Sequence, residues 1–127
     1  MATLYATTGG QKTNSSSFVP IPGLTLTLPG GVNVMAIVTL NLPNPYATGS
    51  NYPGGTFGIT VNGALSPVQA VFTYNEQVPQ STGRIPTTLV VGVPLTQATQ
   101  TVQAVWFGVR GSTVITDTPS TLSAVID

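Results

Sequence analysis

Between Leu24 and Leu28 leucine and threonine alternate strictly, and after Pro29-Gly30-Gly31 the alternation resumes with Val32, Val34, Ala36, Val38, Leu40 and Leu42 at every second position. A period of two lines one face of an extended strand, whereas a helix of 3.6 residues per turn would scatter the same side chains. The opposite face of the second run, Asn33, Met35, Ile37, Thr39 and Asn41, is mixed in polarity. Strands of this kind must bury their apolar face against a second layer, so the chain is constrained to layered β structure. Phe57, Ile59 and Val61 lead into Asn62-Gly63, a strong signal for a tight hairpin, and a strand is expected from Val68 to Tyr74. Further strands are expected over Thr87 to Val93, Thr101 to Arg110, Ser112 to Asp117 and Thr121 to Ile126, the last lying mid-sheet.

No window carries helical apolar spacing over ten or more residues, and fourteen Gly and eleven Pro punctuate the β-branched runs. Eight to ten short strands in 127 residues imply an all-β, two-sheet jelly roll occupying one domain, 1–127. The polar segment Gly9 to Ser17 reads as part of an N-terminal arm (1–17) or loop, and Leu42 to Pro53 as a loop carrying Tyr46 and Tyr52.

Composition narrows the function. Charged residues are 5% of the chain, three of each sign, so no basic face exists to bind nucleic acid. Histidine and cysteine are absent, which removes the usual general base, the thiolate nucleophile and the ligands zinc prefers. The remaining acids, Glu76, Asp117 and Asp127, are too few and scattered to suggest a metal site or a carboxylate pair, so an enzyme is not expected. Abundant instead are 44 Thr, Ser, Asn and Gln side chains, equipment for a neutral, hydroxyl-rich partner. A surface so poor in charge also implies that much of it is covered in an oligomer. No run approaches the ~18 apolar residues that span a bilayer. The first ten residues show no classical secretory signal, and the compartment stays open.

Each cation therefore matters. Lys12 lies in the polar N-terminal stretch and reads as a solvated charge; Arg84 stands in the proline-bounded loop Pro79 to Pro86; Arg110 ends a strand. A guanidinium suits vicinal hydroxyls as well as a carboxylate, so both sugar recognition and an ion pair with Glu76 or Asp117 are open to the arginines. Tyr46 and Tyr52 offer an apolar face with a polar tip or, equally, plugs for the core edge, and Trp106 reads as core or interface.

Pro45-Tyr46-Ala47-Thr48-Gly49, Phe72-Thr73-Tyr74, Val78-Pro79 with Ser81-Thr82-Gly83-Arg84, Val109-Arg110-Gly111-Ser112 and Leu122-Ser123-Ala124 together resemble the TNF-like fucose-binding lectin domain of a bacterial superlectin. Ile21-Pro22-Gly23-Leu24 adds a match upstream, and the resemblance runs from about Val19 to Ala124. It implies a homotrimer of jelly rolls with calcium-independent sites for fucosylated glycans in clefts between protomers. One protomer would contribute Tyr46, Ser81, Thr82 and Arg84, and its neighbour Thr73, Tyr74 and Arg110. A family tyrosine falls on Thr56 here, a change that removes a ring and a phenol from the site. No cofactor is implied. The alternative is a structural trimerisation or receptor-binding jelly roll without a sugar site.

Overall fold

The computed structural model describes residues 2–31 and 34–127. Its described residues form eleven β-strands and no helix. Val32 and Asn33 of the expected second run lie outside the described residues. The strands are β1 (Ala2–Thr8), β2 (Gln11–Thr13), β3 (Val19–Leu28), β4 (Met35–Leu42), β5 (Pro45–Thr48), β6 (Gly54–Val61), β7 (Ala64–Thr73), β8 (Thr87–Pro94), β9 (Gln100–Val109), β10 (Thr113–Thr116) and β11 (Ser120–Ile126).

All pairings are antiparallel, and two four-stranded sheets, β1-β11-β4-β8 and β3-β9-β6-β7, make a jelly-roll sandwich. Alternation dictates what lies between them. Leu24, Leu26 and Leu28 of β3 and Ala36, Val38, Leu40 and Leu42 of β4 are buried, as are Leu89, Val91 and Val93 of β8 and Leu122, Ala124 and Ile126 of β11. Phe57, Ile59, Val102, Ala104 and Trp106 close the layer from the other sheet. Each large side chain contributes about 1.5–3 kcal/mol by leaving water, which offsets the entropy of ordering the strands. Trp106 is wholly buried and thus core within the chain. From it a row of rings runs outward: Trp106 to Phe57 (6.3 Å), Phe57 to Phe72 (6.0 Å), Phe72 to Tyr74 (5.7 Å).

Asn62 and Gly63 both have positive φ, 50° and 83°, and close the β6–β7 hairpin as the dipeptide requires. Strand β11 lies between β1 and β4, the mid-sheet position expected of it. Three expectations are corrected. Eleven strands replace eight to ten. The polar N-terminal stretch, expected as an arm or loop, is held as β1 along β11 and β2 along β10. The tyrosine-bearing segment after Leu42 contains β5, paired to β10.

A third sheet, β2-β10-β5, repeats the order β1-β11-β4. The same three chain segments thus continue beyond the sandwich after short breaks at Gly9-Gly10, Pro43-Asn44 and Asp117-Thr118-Pro119. The outer face of β1-β11-β4-β8 carries no charged residue on any of its strands and exposes Tyr5, Met35, Ile37, Val90 and Val125.

Candidate carbohydrate site

Within β5, Pro45 and Ala47 point into the core, so alternation turns Tyr46 outward. The Arg84 guanidinium lies over the Tyr46 ring, 3.7 Å from its centroid. Its Nη2 donates to the Asp117 carboxylate at 2.7 Å, with the two side chains 41% and 43% exposed. An ion pair this open to solvent contributes about 0.2–1 kcal/mol, so it orients the guanidinium more than it stabilises the fold. Of the two acids the sequence offered Arg84, Asp117 is the partner.

The loop bearing Arg84 has no strand of its own, yet it is fastened to β5. Ile85 N–H donates to the Pro45 carbonyl at 2.9 Å, and the Tyr74 hydroxyl donates to the Gly83 carbonyl at 2.7 Å while accepting from Ala47 N–H at 3.3 Å. Burial pushes the Tyr74 phenol above its usual pKa; the Ala47 N–H and the Arg84 charge oppose that, and Tyr46 adds to it. The phenol is accordingly a neutral donor at physiological pH. Ser81 and Thr82 precede Gly83, Ser81 exposed and Thr82 half-buried.

A second group forms where β6, β7 and β9 end. Thr73 pairs with Gly54 and Gly54 with Val109. Tyr74 N–H donates to the Pro53 carbonyl at 2.9 Å. Arg110, with φ 51°, donates from Nε to the Asn51 carbonyl at 2.9 Å and from Nη2 to the Tyr52 carbonyl. Ser112 Oγ accepts from Gly54 N–H at 3.1 Å and donates to the Val109 carbonyl. Gly54 leaves no room for a side chain, since a Cβ there would collide with the Phe72 carbonyl.

The fold thus brings Tyr46, Tyr74, Arg84 and the Ser81-Thr82 loop together in one chain, with Thr73 at the end of β7 and Arg110 just past the end of β9. Tyr74, which the resemblance assigned to the neighbouring protomer's share, braces the Arg84 loop of its own chain. Thr56 takes no part in these bonds. It lies on β6 between Val71 and Phe107 and is only 7% exposed. Sequence reasoning assigned no site role to Asp117 or to the carbonyls of Gly83, Asn51 and Tyr52. A scarce cation's need for a partner signals the first; backbone oxygens carry no sequence signal.

A guanidinium spread on a phenol, its charge matched by one carboxylate, retains N–H donors for neutral hydroxyls. Set at the end of a jelly roll among further hydroxyls, it makes a lectin-type surface. The chain belongs to the Bc2l-C N-terminal domain family, which matches residues 8–125 and reaches further upstream than the motifs alone. This is the TNF-like fucose-binding lectin domain, a carbohydrate-binding family and not an enzyme family. Among solved structures, the insecticidal delta-endotoxin Cry8Ea1 from Bacillus thuringiensis is similar, with TM-score 0.50 and 12% identity over 93% of this chain. The chain spans 19% of that toxin, and the likeness is one of fold. No curated protein matches.

Proposed function

We propose that this domain recognises L-fucose and fucosylated glycans on cell surfaces, without a metal ion, in clefts between the protomers of a homotrimer. The observation that carries the proposal is the Arg84 guanidinium, laid on Tyr46 and fixed by Asp117, on the loop that also carries Ser81 and Thr82. A neutral deoxy sugar brings hydroxyls and a methyl group and no charge to neutralise, and this set answers it with donors, acceptors and ring carbon. Arg110 and Thr73 would face the sugar from the neighbouring protomer. The uncharged outer sheet face supports assembly, because charge depletion marks surfaces covered by another protein.

Calorimetric titration with methyl α-L-fucoside tests this, with methyl α-D-mannoside and EDTA-treated protein as controls. Saturation near one site per chain, unchanged by EDTA and lost in Arg84→Ala, is the expected result. No heat at millimolar fucoside from a protein that still sediments as a trimer would favour a structural or receptor-binding domain. A 13.0 kDa monomer in sedimentation would remove the interprotomer cleft.

A further inference from the structure

An open cleft of about 420 Å³ lies beside the Arg84 cluster, lined by Gly10, Gln11, Lys12, Ile115, Thr116 and Asp117. The register of the three-stranded sheet explains why the two adjoin. Ile115 of β10 pairs with Tyr46 of β5 on one side and with Lys12 of β2 on the other. Residues paired in register share a face, and the burial of Val114 and Thr116 shows that the face of Ile115 is the outer one. Tyr46, Ile115 and Lys12 therefore form one row across the outer face, and Asp117, two residues beyond Ile115, belongs to both cleft and cluster.

Charge assigns the cleft its chemistry. The Asp117 carboxylate is already matched by Arg84, the one ion pair among the described residues. Arg110 donates to two backbone carbonyls and is not among the residues lining the cleft. Lys12 is exposed and has no ion-pair partner among the described residues, so with Asp117 engaged by Arg84 it is the unmatched cation of the cleft. Adjacent strands lie about 4.8 Å apart, so β2 stands roughly 10 Å from β5. That is too far for one pyranose ring to touch both Tyr46 and Lys12, but within reach of a neighbouring sugar.

We propose that the outer face of β2 and β10 is a second subsite, which takes a carboxylate or sulfate group carried by a sugar adjoining the fucose, with Lys12 as its cation. The proposal rests on the fucose reading above and adds a preference for acidic fucosylated glycans. Lys12 acts as a point charge, so the shared chemistry is a compact anion.

The test is titration of the full chain with the Lewis x trisaccharide, its sialylated form and its sulfated form. At least one acidic form is expected to bind about two- to fivefold tighter than the neutral trisaccharide at low salt, the range of an exposed ion pair. Which form gains separates carboxylate from sulfate. The advantage should shrink as salt screens it. Lys12→Gln should bring acidic and neutral glycans to equal affinity, and so should Gly10→Glu, which sets a competing carboxylate in the cleft. A Cβ at Gly10 meets nothing closer than the Thr116 carbonyl oxygen at 3.5 Å, so the latter variant should fold. Equal affinity in the unmodified protein, or an acidic advantage that survives Lys12→Gln, overturns the subsite alone. Binding of methyl α-L-fucoside but of none of the three overturns the subsite alone, and silence of all four removes the fucose reading with it.

Discussion

Arg84 and Arg110 stand at the same end of the molecule and are held in opposite ways. Arg84 is gripped by side chains, an aromatic ring beneath and a carboxylate at one edge, and its charge is matched. Arg110 is gripped by the Asn51 and Tyr52 carbonyls, from a residue whose own φ is 51°, and its charge is matched by no side chain among the described residues. The first arrangement leaves a flat, neutralised donor surface on a loop. The second uses two side-chain donors to hold the Asn51-Tyr52 turn just before Gly54, the strand partner of Thr73. The difference teaches that one residue type can be held ready for recognition in two ways, by a ring and a carboxylate or by backbone carbonyls that leave further N–H donors free, and substitutions should tell the two apart.

The largest effect is expected at Arg110. Arg110→Gly relieves a left-handed conformation that costs a non-glycine residue about 1 kcal/mol, yet gives up two hydrogen bonds of comparable worth. Thermal unfolding should therefore move by only a few degrees, while fucoside titration should show binding reduced beyond detection. Unaltered binding would confine Arg110 to the turn. Arg84→Lys is the sharper probe of the other arrangement, because it preserves charge and the Asp117 partner but loses the planar fork. A loss of about tenfold in affinity, with unfolding unchanged, is the outcome to look for by calorimetry. Full retention would show that charge alone suffices at this position.

The smallest effect belongs to Tyr74, which joins the two groups. Its phenol is raised in the folded chain chiefly by burial, so the native state holds the proton more tightly than the unfolded state does. Its contribution is complete below the unfolded value of about 10 and is lost as pH climbs through the raised folded value. Urea unfolding at rising pH should accordingly show the unsubstituted protein losing more stability than Tyr74→Phe, whose remaining titrations are the same. At neutral pH the variant should be about 1 kcal/mol less stable, the worth of its hydrogen bond to Gly83. Parallel curves would mean that burial of the ring, and not the hydroxyl, fastens the loop.

The sandwich was legible wherever one strand face is apolar and the other polar. Leu24 to Leu28, the Val34 to Leu42 stretch and Thr87 to Val93 alternate in the sequence and are buried in that alternation. Strands β1, β2 and β5 were not legible, because each is short or half-buried and is defined by its partner. Ala2–Thr8 buries only Thr8 fully, and Pro45–Thr48 is framed by residues that suggest a loop. The site was legible in its rare residues and illegible in its common ones. Arg84 and Arg110 stand out in a chain with three cations, whereas the carbonyls that hold Arg110 and Tyr74 belong to residues with no distinguishing side chain.

The row of rings from Trp106 to Tyr74 has an optical consequence. The chain contains one tryptophan, and it is sealed in the core, so its emission is free of competing indoles and shielded from solvent quenching. Because the rings of Trp106, Phe57, Phe72 and Tyr74 are closely spaced, the phenol bracing the Arg84 loop lies near enough to pass its excitation directly through space to a single emitter. The protein carries its own label-free gauge of what happens at the loop, read from inside the sandwich.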